Sequence, residues 1–253
     1  MRRPSKAAWW AVAGLTTSAL VGAKWLGFDQ TTLNSLLVDG VPALAKYCHP
    51  AWQEMPRLLR LLGETVGMGV VGTSIAMALA IPSPYFAAAS IAPNRGVFAV
   101  SRQVLNFFRS MPDALIALIL VQGMGLGPVP GAIALGLHSF GYVGKNLSEK
   151  VERIERGVLD GLRSCGADGF QSFRFGVLPT VEREILSDAL YILDRNIRTA
   201  ATLGLVGAGG IGVELLSALR TFHEDQASTI IVLVVVLVIV IDMASTHARK
   251  RLA

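Results

Sequence analysis

The chain has 253 residues, of which 52% are hydrophobic and 16% are charged, and its formal net charge is +5. Soluble domains carry about 25% charged residues, so this chain lacks the polar side chains that would cover a water-facing surface. The composition therefore excludes a soluble globular domain and predicts an integral membrane protein. The basic residues stand at the ends of apolar segments rather than in one cluster, so we expect no nucleic-acid partner.

Six apolar stretches approach the length of about 20 residues that a membrane-crossing helix needs. The last of them contains the unbroken apolar run Ile230–Ile241, whereas the fifth is interrupted by charged residues. The sequence therefore predicts an all-α protein with about six transmembrane helices. Their expected positions are Ala7–Phe28, Leu61–Ile91, Val97–Val121, Val129–Leu147, Leu186–Val206 and Ala227–Ala244.

The first 60 residues hold only one of these stretches. We assign residues 1–60 to an N-terminal transmembrane anchor, at about residues 7–28, and an extracytoplasmic segment. Residues 61–253 then form a core with five transmembrane helices. The alternative for the start is a secretory signal peptide, because Arg2-Arg3 precedes the apolar run and Val21-Gly22-Ala23 resembles a cleavage site. Its removal would leave five spans.

Basic residues predict the orientation, because the cytoplasmic loops of membrane proteins are enriched in Lys and Arg. With the N-terminus inside, the inner side receives roughly three times as many basic residues as the outer side. Both termini and the polar segment 152–180 are therefore expected to be cytoplasmic. The basic residues assigned to the outer side are Lys24, Lys46, Arg57, Arg60 and Arg220.

Residues 152–180 form a charged segment between two apolar stretches. Apolar residues recur at helical spacing over Val151–Cys165, which predicts an amphipathic helix that Gly166 ends in a left-handed turn. We expect a second short helix after Gly166 and a stop or bend at Pro179. Two such helices suit docking to a soluble partner; a polar linker with helical content is the alternative. The apolar positions are Val151, Ile154, Val158, Leu159, Leu162 and Cys165, then Ala167, Phe170, Phe173 and Val177.

Two glycine motifs resemble nucleotide-binding turns but lack residues that such sites need. Gly207–Gly212 fits G-x-G-x-x-G, yet no acidic residue follows about 20 positions later to bind a ribose. Gly141–Asn146 fails as a P-loop, because Ser139 and Asn146 stand where a glycine and a hydroxyl residue are required. The chain therefore has no ATP-binding motif. We expect the Gly207–Gly212 cluster to allow close helix approach, a bend, or an opening to a water-lined path.

The sequence shows no pattern typical of a catalytic or metal site. Cys48 and Cys165 lie on opposite sides of the membrane in the expected topology, so they cannot pair. Apart from His49, adjacent to Cys48, neither has a Cys or His at metal-ligand spacing. Paired carboxylates, a histidine cluster or an activated Ser or Cys are not found at a span end. We expect no catalytic residues and no metal.

The charged segment resembles the coupling loop of ABC-importer permeases. That pattern is Glu-Ala-Ala, three residues, Gly, nine residues, Ile, one residue, Leu-Pro. Asp160-Gly161-Leu162 stand where the family has Glu-Ala-Ala, and Gly176 stands where it has Ile. Gly166 and Leu178-Pro179 are in register with the pattern.

Other segments are similar to the phosphonate-type permease, the membrane subunit of importers for phosphonates and related phosphorus oxyanions. Asn196–Gly212 resembles the last conserved stretch of this family. The resemblance extends from about Leu61 to the C-terminus. The earlier segments that carry it are Asn106–Asp113, Gly125–Pro128 and Leu137-His138.

This resemblance implies the type I ABC importer (MetI-like) permease fold, as a homodimer in the bacterial cytoplasmic membrane with the substrate path at the subunit interface. It also implies two ATPase subunits, which would use ATP and Mg, and an extracytoplasmic substrate-binding protein; this chain would bind no cofactor. Closure of the ATPases would turn the path outward by rigid-body motion. The residues implied in ATPase coupling are Asp160, Gly161, Leu162, Gly166, Ala167, Leu178 and Pro179.

Charged residues within spans are candidates for the translocation path, because an ionised group in the membrane is costly and usually faces a cavity or a partner. We expect Arg198 to line an anion path. The structural alternatives are a neutralising pair between Asp194 and Arg198, and an Arg109 at the inner headgroup level. His138 is expected to make a helix–helix hydrogen bond. The candidate path residues are Arg109, Asn196, Arg198, Gly207, Gly209, Gly210 and Gly212.

Together these features predict the permease subunit of an ABC importer, which forms the path for phosphonate or a related phosphorus oxyanion such as phosphate or phosphite. Such a subunit is not an enzyme, since a separate ATPase hydrolyses ATP. The alternative is an ion-driven secondary transporter of small anions that uses Asp194 and Arg198. It predicts uptake that needs no ATPase and stops when the proton gradient collapses.

Overall fold

The computed structural model describes residues 6–25, 27, 38, 40–47, 49, 50 and 52–252, and these contain helices and turns but no strand. This agrees with the predicted all-α class. The chain divides into two compact units, residues 1–50 and 51–253. The first unit contains α1 (Lys6–Trp25) and α2 (Val41–Lys46).

The second unit begins with a 3₁₀ turn, Trp52–Glu54. Its helices, in chain order, are α3 (Met55–Ala80), α4 (Ser83–Ala87), α5 (Arg95–Ser110), α6 (Asp113–Met124), α7 (Pro128–Glu152), α8 (Arg156–Ser164), α9 (Gly169–Ser172), α10 (Leu178–Thr180), α11 (Glu182–Leu203), α12 (Ile211–Arg220) and α13 (Glu224–Leu252). A π-helical turn, Phe173–Val177, joins α9 to α10, and a 3₁₀ turn, Gly204–Val206, follows α11.

Helices α3, α7 and α11 pack against one another in the second unit. Glycine allows α3 and α7 to approach closely. A Cβ on Gly72 would lie 2.8 Å from Cβ of Leu135, and a Cβ on Gly136 would lie 2.7 Å from Cγ2 of Ile75. Both distances are shorter than van der Waals contact, so a larger residue would force the helices apart. Small residues at helix crossings are expected in lipid, where close packing favours helix association.

The predicted span Val97–Val121 is a broken pair of helices instead of one helix. Helices α5 and α6 meet at an angle of 89°. Between them, Met111 is extended, with φ −77° and ψ 128°. Pro112 explains the break, because proline disfavours the helical conformation of the residue before it and has no backbone N–H of its own.

The predicted span Leu61–Ile91 also differs in its bounds. Helix α3 begins six residues earlier, at Met55, and ends at Ala80, and α4 follows after Pro82. The predicted boundary between residues 60 and 61 therefore falls inside α3.

Two described helices are long and apolar enough to cross a membrane. Met55–Ala80 has a mean hydropathy of 1.4, and Glu224–Lys250 has 2.8. Two bent pairs also qualify when each pair is counted as one span: α5 with α6, and Glu182–Val206 with α12, which meet at 42°. The described part of the chain thus holds two to four spans by length and composition alone.

Candidate functional site

The predicted amphipathic helix over Val151–Cys165 is interrupted in the structure. Helix α7 ends at Glu152 and α8 begins at Arg156. The Glu152 carboxylate accepts hydrogen bonds from the backbone N–H of Ala89 at 2.8 Å and from Nη2 of Arg102 at 2.6 Å. These contacts to the loop after α4 and to α5 fix the end of α7. The prediction of one continuous helix was therefore wrong, because a tertiary contact overrides the local helical pattern.

Gly166 ends α8 in the left-handed conformation that the sequence predicts, with a φ of +85°. The N–H of Ala167 donates to the carbonyl of Leu162 at 3.1 Å, and the N–H of Gly166 donates to that of Arg163 at 2.9 Å. This pair of hydrogen bonds is a Schellman motif, which needs a left-handed residue at the position of Gly166. The motif sets the direction in which the chain leaves α8.

A capping box starts the second short helix of the segment. The carboxylate of Asp168 accepts from the N–H of Gln171 at 2.7 Å, and the Gln171 side chain accepts from the N–H of Asp168 at 3.0 Å. This reciprocal pair satisfies two backbone donors at the start of α9. The helical path then continues through Phe173–Val177 and past Pro179 to Thr180. The expected stop at Pro179 is thus displaced to Val181, which has a φ of −102°.

The apolar side of residues 152–180, here called the coupling segment, packs against the end of the helical bundle. Tyr85 of α4 contacts the rings of Phe170 and Phe173, each with a centroid distance of 5.8 Å. On the polar side, Nη2 of Arg163 donates to the carbonyl of Ser90 at 3.2 Å. One buried cluster joins this segment to the loop after α4 and to the adjoining ends of α7 and α11: Ala88, Ile91, Val151, Leu159, Phe173, Val177 and Val181.

The seven predicted coupling residues divide by exposure. The exposed ones form the outer surface of the segment: Asp160, Gly161, Gly166 and Pro179. The others are half-buried: Leu162, Ala167 and Leu178. The exposed set is available to a partner, while the half-buried set holds the segment against the bundle.

Leu162 and Gly176 contact each other across the coupling segment. A Cβ on Gly176 would overlap Cδ1 of Leu162. These are two of the positions at which the chain departs from the permease pattern, which has alanine and isoleucine there. The larger residue at position 162 occupies the space that a side chain at position 176 would need. The two departures therefore compensate each other in volume.

We expect Gly176→Ile alone to destabilise the protein by about 1–3 kcal/mol, because an overfilled contact forces side chains and backbone to shift. Leu162→Ala combined with Gly176→Ile should recover most of that loss, since the two sites are coupled. Thermal unfolding of the detergent-solubilised protein measures both effects, with Gly157→Ala as a control for substitution of a glycine with open space around it. If the single Gly176→Ile variant is as stable as the intact chain, Leu162 and Gly176 do not compensate each other in volume.

Asn196 connects three helices and is buried, with 2% of its surface exposed. Its Oδ1 accepts from Oγ of Ser139 on α7 at 2.7 Å, and its Nδ2 donates to Oγ1 of Thr73 on α3 at 3.0 Å. The amide thus makes helix–helix hydrogen bonds. The structure does not place this side chain on an open surface where a path would run.

Arg198 donates a hydrogen bond from Nη2 to Oδ2 of Asp194 on the same helix. The Asp194 side chain is 4% exposed and that of Arg198 is 48% exposed. This is the neutralising pair that the four-residue spacing predicts.

The glycine cluster packs tightly against α3 and the start of α7. A Cβ on Gly209 would lie 2.6 Å from the nitrogen of Pro128, and one on Gly210 would lie 2.6 Å from Oγ1 of Thr65. Thr65 also accepts the N–H of Ile211 at 2.9 Å. These contacts agree with the close-approach interpretation, and Gly212 is buried in the same loop. Three glycines of this cluster have a φ between +71° and +86°, a range that favours glycine: Gly207, Gly209 and Gly210.

Arg109, at the end of α5, lies beside an aromatic ring. Its guanidinium carbon lies 5.7 Å from the centroid of the Tyr142 ring on α7. Arg195 of α11 lies 5.5 Å from the same centroid. Arg195 is not among the path residues that the sequence predicts. The sequence does distinguish the two arginines. No acidic residue stands three or four positions from Arg195, whereas Asp194 stands four positions before Arg198.

His138 makes the predicted helix–helix hydrogen bonds. Its Nδ1 lies 3.0 Å from the carbonyl oxygen of Met111, and its Nε2 lies 2.6 Å from Nη2 of Arg195. The ring therefore links the break between α5 and α6 to α11.

Comparison with solved structures identifies the fold. A chain of the inward-facing MetNI methionine ABC transporter superposes with a TM-score of 0.70 at 22% identity, covering 80% of this chain and 99% of that chain. At this identity the similarity bears on the fold alone, and it confirms the predicted type I importer permease fold.

Comparison of sequences gives the family. The chain is 33% identical over 251 residues to the phosphite transport system permease protein PtxC of Stutzerimonas stutzeri, covering 96% of this chain and 90% of that protein. It is 34% identical over 195 residues to the phosphate-import permease protein PhnE of Mycolicibacterium smegmatis, covering 77% of this chain and 37% of that protein. Residues 80–253 match the family model of the binding-protein-dependent transport system inner membrane component. The chain therefore belongs to this family of permease subunits, and it is a transport component rather than an enzyme.

Proposed function

We propose that this permease carries a phosphorus oxyanion, namely phosphite, phosphate or a phosphonate, into the cell. The observation that supports this cargo most directly is the similarity to the phosphite permease, which spans nearly the whole of both chains. The shorter match to a phosphate-import permease points to the same chemical class. All these anions present tetrahedral phosphorus with several negatively charged oxygens.

The proposed assembly contains two copies of this chain, two ATPase subunits and an extracytoplasmic substrate-binding protein. The coupling segment and both termini would lie on the cytoplasmic side. The excess of basic residues assigned to that side supports this orientation. The buried cluster that joins the coupling segment to the loop after α4 supports it as well, because that loop leads into α5, which carries the inner-side residues Arg95 and Arg102.

The coupling segment is the proposed docking site for the ATPase. Its exposed residues Asp160, Gly161 and Gly166 would contact the ATPase, with Pro179 at the end of the surface. The half-buried residues Leu162, Ala167 and Leu178 would hold the segment to the bundle. This division would let one short surface bind a soluble subunit while Leu159, Phe173 and Val177 stay buried against the bundle.

Movement of the docked segment would be transmitted to the bundle through fixed contacts. Arg102 donates from Nε to the carbonyl of Ala87 at 2.7 Å and pairs with Glu152, which also accepts from Ala89. These bonds tie the end of α7 to α5 and to the loop after α4. When the ATPases close, the ends of these helices would therefore move together with the segment. Such rigid-body motion is the basis of alternating access.

Uptake by whole cells tests the cargo. A strain that lacks this chain but retains the other transporter subunits would receive the intact chain, and labelled methylphosphonate, phosphite and phosphate would be compared at low concentration. We expect uptake of at least one of the three anions to depend on the chain. The matched control is a chain with Gly166→Val, which is expected to insert in the membrane without binding the ATPase.

Two results would contradict the proposal. If the intact chain restores uptake of none of the three anions, the proposed cargo is wrong. If uptake is the same with Gly166→Val and stops when the proton gradient is collapsed, the chain works as an ion-driven transporter and the proposed ATPase coupling is wrong.

A further inference from the structure

Two arginines from different helices converge on one tyrosine. Arg109 at the end of α5 and Arg195 on α11 both lie within 6 Å of the ring centroid of Tyr142 on α7. An Arg guanidinium at this distance is attracted to the ring face. Tyr142 and Arg195 are half-buried, and Arg109 is exposed. The ring therefore contacts two cations supplied by separate helices, and one of them, Arg109, is open to the surface.

Tyr142, the centre of this cluster, lies well away from the end of α7. Tyr142 stands ten residues before the end of α7 at Glu152, which corresponds to about 15 Å along the helix at 1.5 Å per residue. Ionised side chains at such depth are costly and typically mark a pathway or a partner. A headgroup contact at the end of a span therefore does not explain ionised side chains at this position.

Among the described residues, neither arginine of the cluster pairs with a carboxylate. Within the described residues, the ion pairs involve other arginines and lysines. Two acids on α11 pair with other cations: Asp188 with Lys150, and Asp194 with Arg198. In the part of the chain that the structure describes, the cluster therefore contains two cations that lack an ion-pair partner.

His138 holds Arg195 in place and adds no charge to the cluster. The Met111 carbonyl can only accept, so the His138 Nδ1–H donates to it; the guanidinium can only donate, so His138 Nε2 accepts from Arg195. These two partners define the neutral ring. The break at Pro112 makes the Met111 carbonyl available, because the next helical N–H groups donate to the Pro112 carbonyl instead.

We propose that Arg109, Tyr142 and Arg195 form a binding site for a tetrahedral phosphorus oxyanion along the translocation path. The inference rests on the proposed function, and it names the site at which that cargo is bound within the membrane. A guanidinium beside an aromatic ring keeps its N–H groups available as donors, and these bind oxyanion oxygens in pairs. Two partly exposed cations without further enclosure would bind the anion and release it again, as conduction requires.

Equilibrium binding of labelled inorganic phosphate to the detergent-solubilised transporter, without its substrate-binding protein, tests this site. Arg109→Gln and Arg195→Gln should each weaken phosphate binding by about tenfold or more, because each removes charge-assisted hydrogen bonds. Arg195→Lys should recover part of the affinity by restoring the charge without the paired geometry. Arg60→Gln, which removes one positive charge at another exposed position, should leave binding within about twofold. Retention of the ATPase subunit shows that each variant is folded.

Parallel measurements separate this inference from the proposed cargo. Phosphate binding that is equal in the intact chain and in folded Arg109→Gln and Arg195→Gln variants would overturn the site, even where uptake depends on the chain. Phosphate binding lost only in these variants supports the site, even where none of the three anions is taken up by cells. A parallel binding measurement with added phosphatidylglycerol tests whether a lipid headgroup, instead of free phosphate, occupies the site. If phosphatidylglycerol binds at the two arginines and free phosphate does not, the site is not on the cargo path.

Discussion

Replacing Gly166 with valine should abolish retention of the ATPase subunit, while the chain still inserts in the membrane. Gly166 has a φ of +85°, and the left-handed conformation costs an L-residue about 1–2 kcal/mol, with β-branched residues least tolerant. The Schellman hydrogen bonds that direct the chain out of α8 depend on this conformation. No heavy atom lies within 4 Å of a Cβ at this position. The valine side chain would therefore point into the space that the docked ATPase is proposed to fill.

Two further variants separate backbone conformation from surface bulk. Asparagine tolerates the left-handed conformation, so Gly166→Asn should retain more ATPase than Gly166→Val. Gly157→Ala lies in α8, also with open space around its Cβ, and should retain the ATPase fully because alanine favours the helix. Co-purification of the ATPase with tagged chain from membranes is the measurement. Undiminished co-purification with Gly166→Val would refute the proposed role of this glycine.

Arg198→Ala should destabilise the protein by about 3 kcal/mol, because it leaves the buried Asp194 carboxylate without a partner. One oxygen of that carboxylate, Oδ1, already has no hydrogen-bond partner in the structure. The expected result is a lower unfolding temperature and less folded protein in the membrane. Arg198→Gln combined with Asp194→Asn removes both charges together, so it should restore the folded yield and uptake.

The double variant distinguishes the two interpretations of Arg198. If Arg198 lines the anion path, as the sequence predicts, the protein with both charges removed would fold and still fail in transport. If the arginine serves only to neutralise Asp194, folding and uptake should return together. Unfolding temperature and uptake are therefore measured on the same set of variants.

Local sequence patterns predicted the features that depend on neighbouring residues. The left-handed turn at Gly166 and the pairing of Asp194 with Arg198 both involve residues within one helical turn. The apolar content of Val97–Val121 predicts one span, although Pro112 and the charged residues Arg102 and Arg109 lie within it. The helix breaks because Pro112 acts directly on the backbone conformation of Met111. Hydropathy indicates only that a segment favours the membrane, not that it is one unbroken helix.

Contacts between distant segments were not predictable in the same way. The end of α7 at Glu152 depends on Ala89 and Arg102, which are about 50 residues or more away in the chain. The contact in which the larger Leu162 fills the space beside Gly176 depends on how the two halves of the coupling segment fold together. In both cases the sequence shows the residue types but not which of them meet.

The sequence by itself determined that this protein is a helical membrane permease, since composition, apolar lengths and the coupling pattern are properties of the linear chain. Only the tertiary structure decided which arginines on separate helices come together. Arg198 finds its partner four residues away on one helix face. Arg109 and Arg195 meet at Tyr142 only when α5, α7 and α11 are packed together, because no sequence spacing fixes the contact between separate helices.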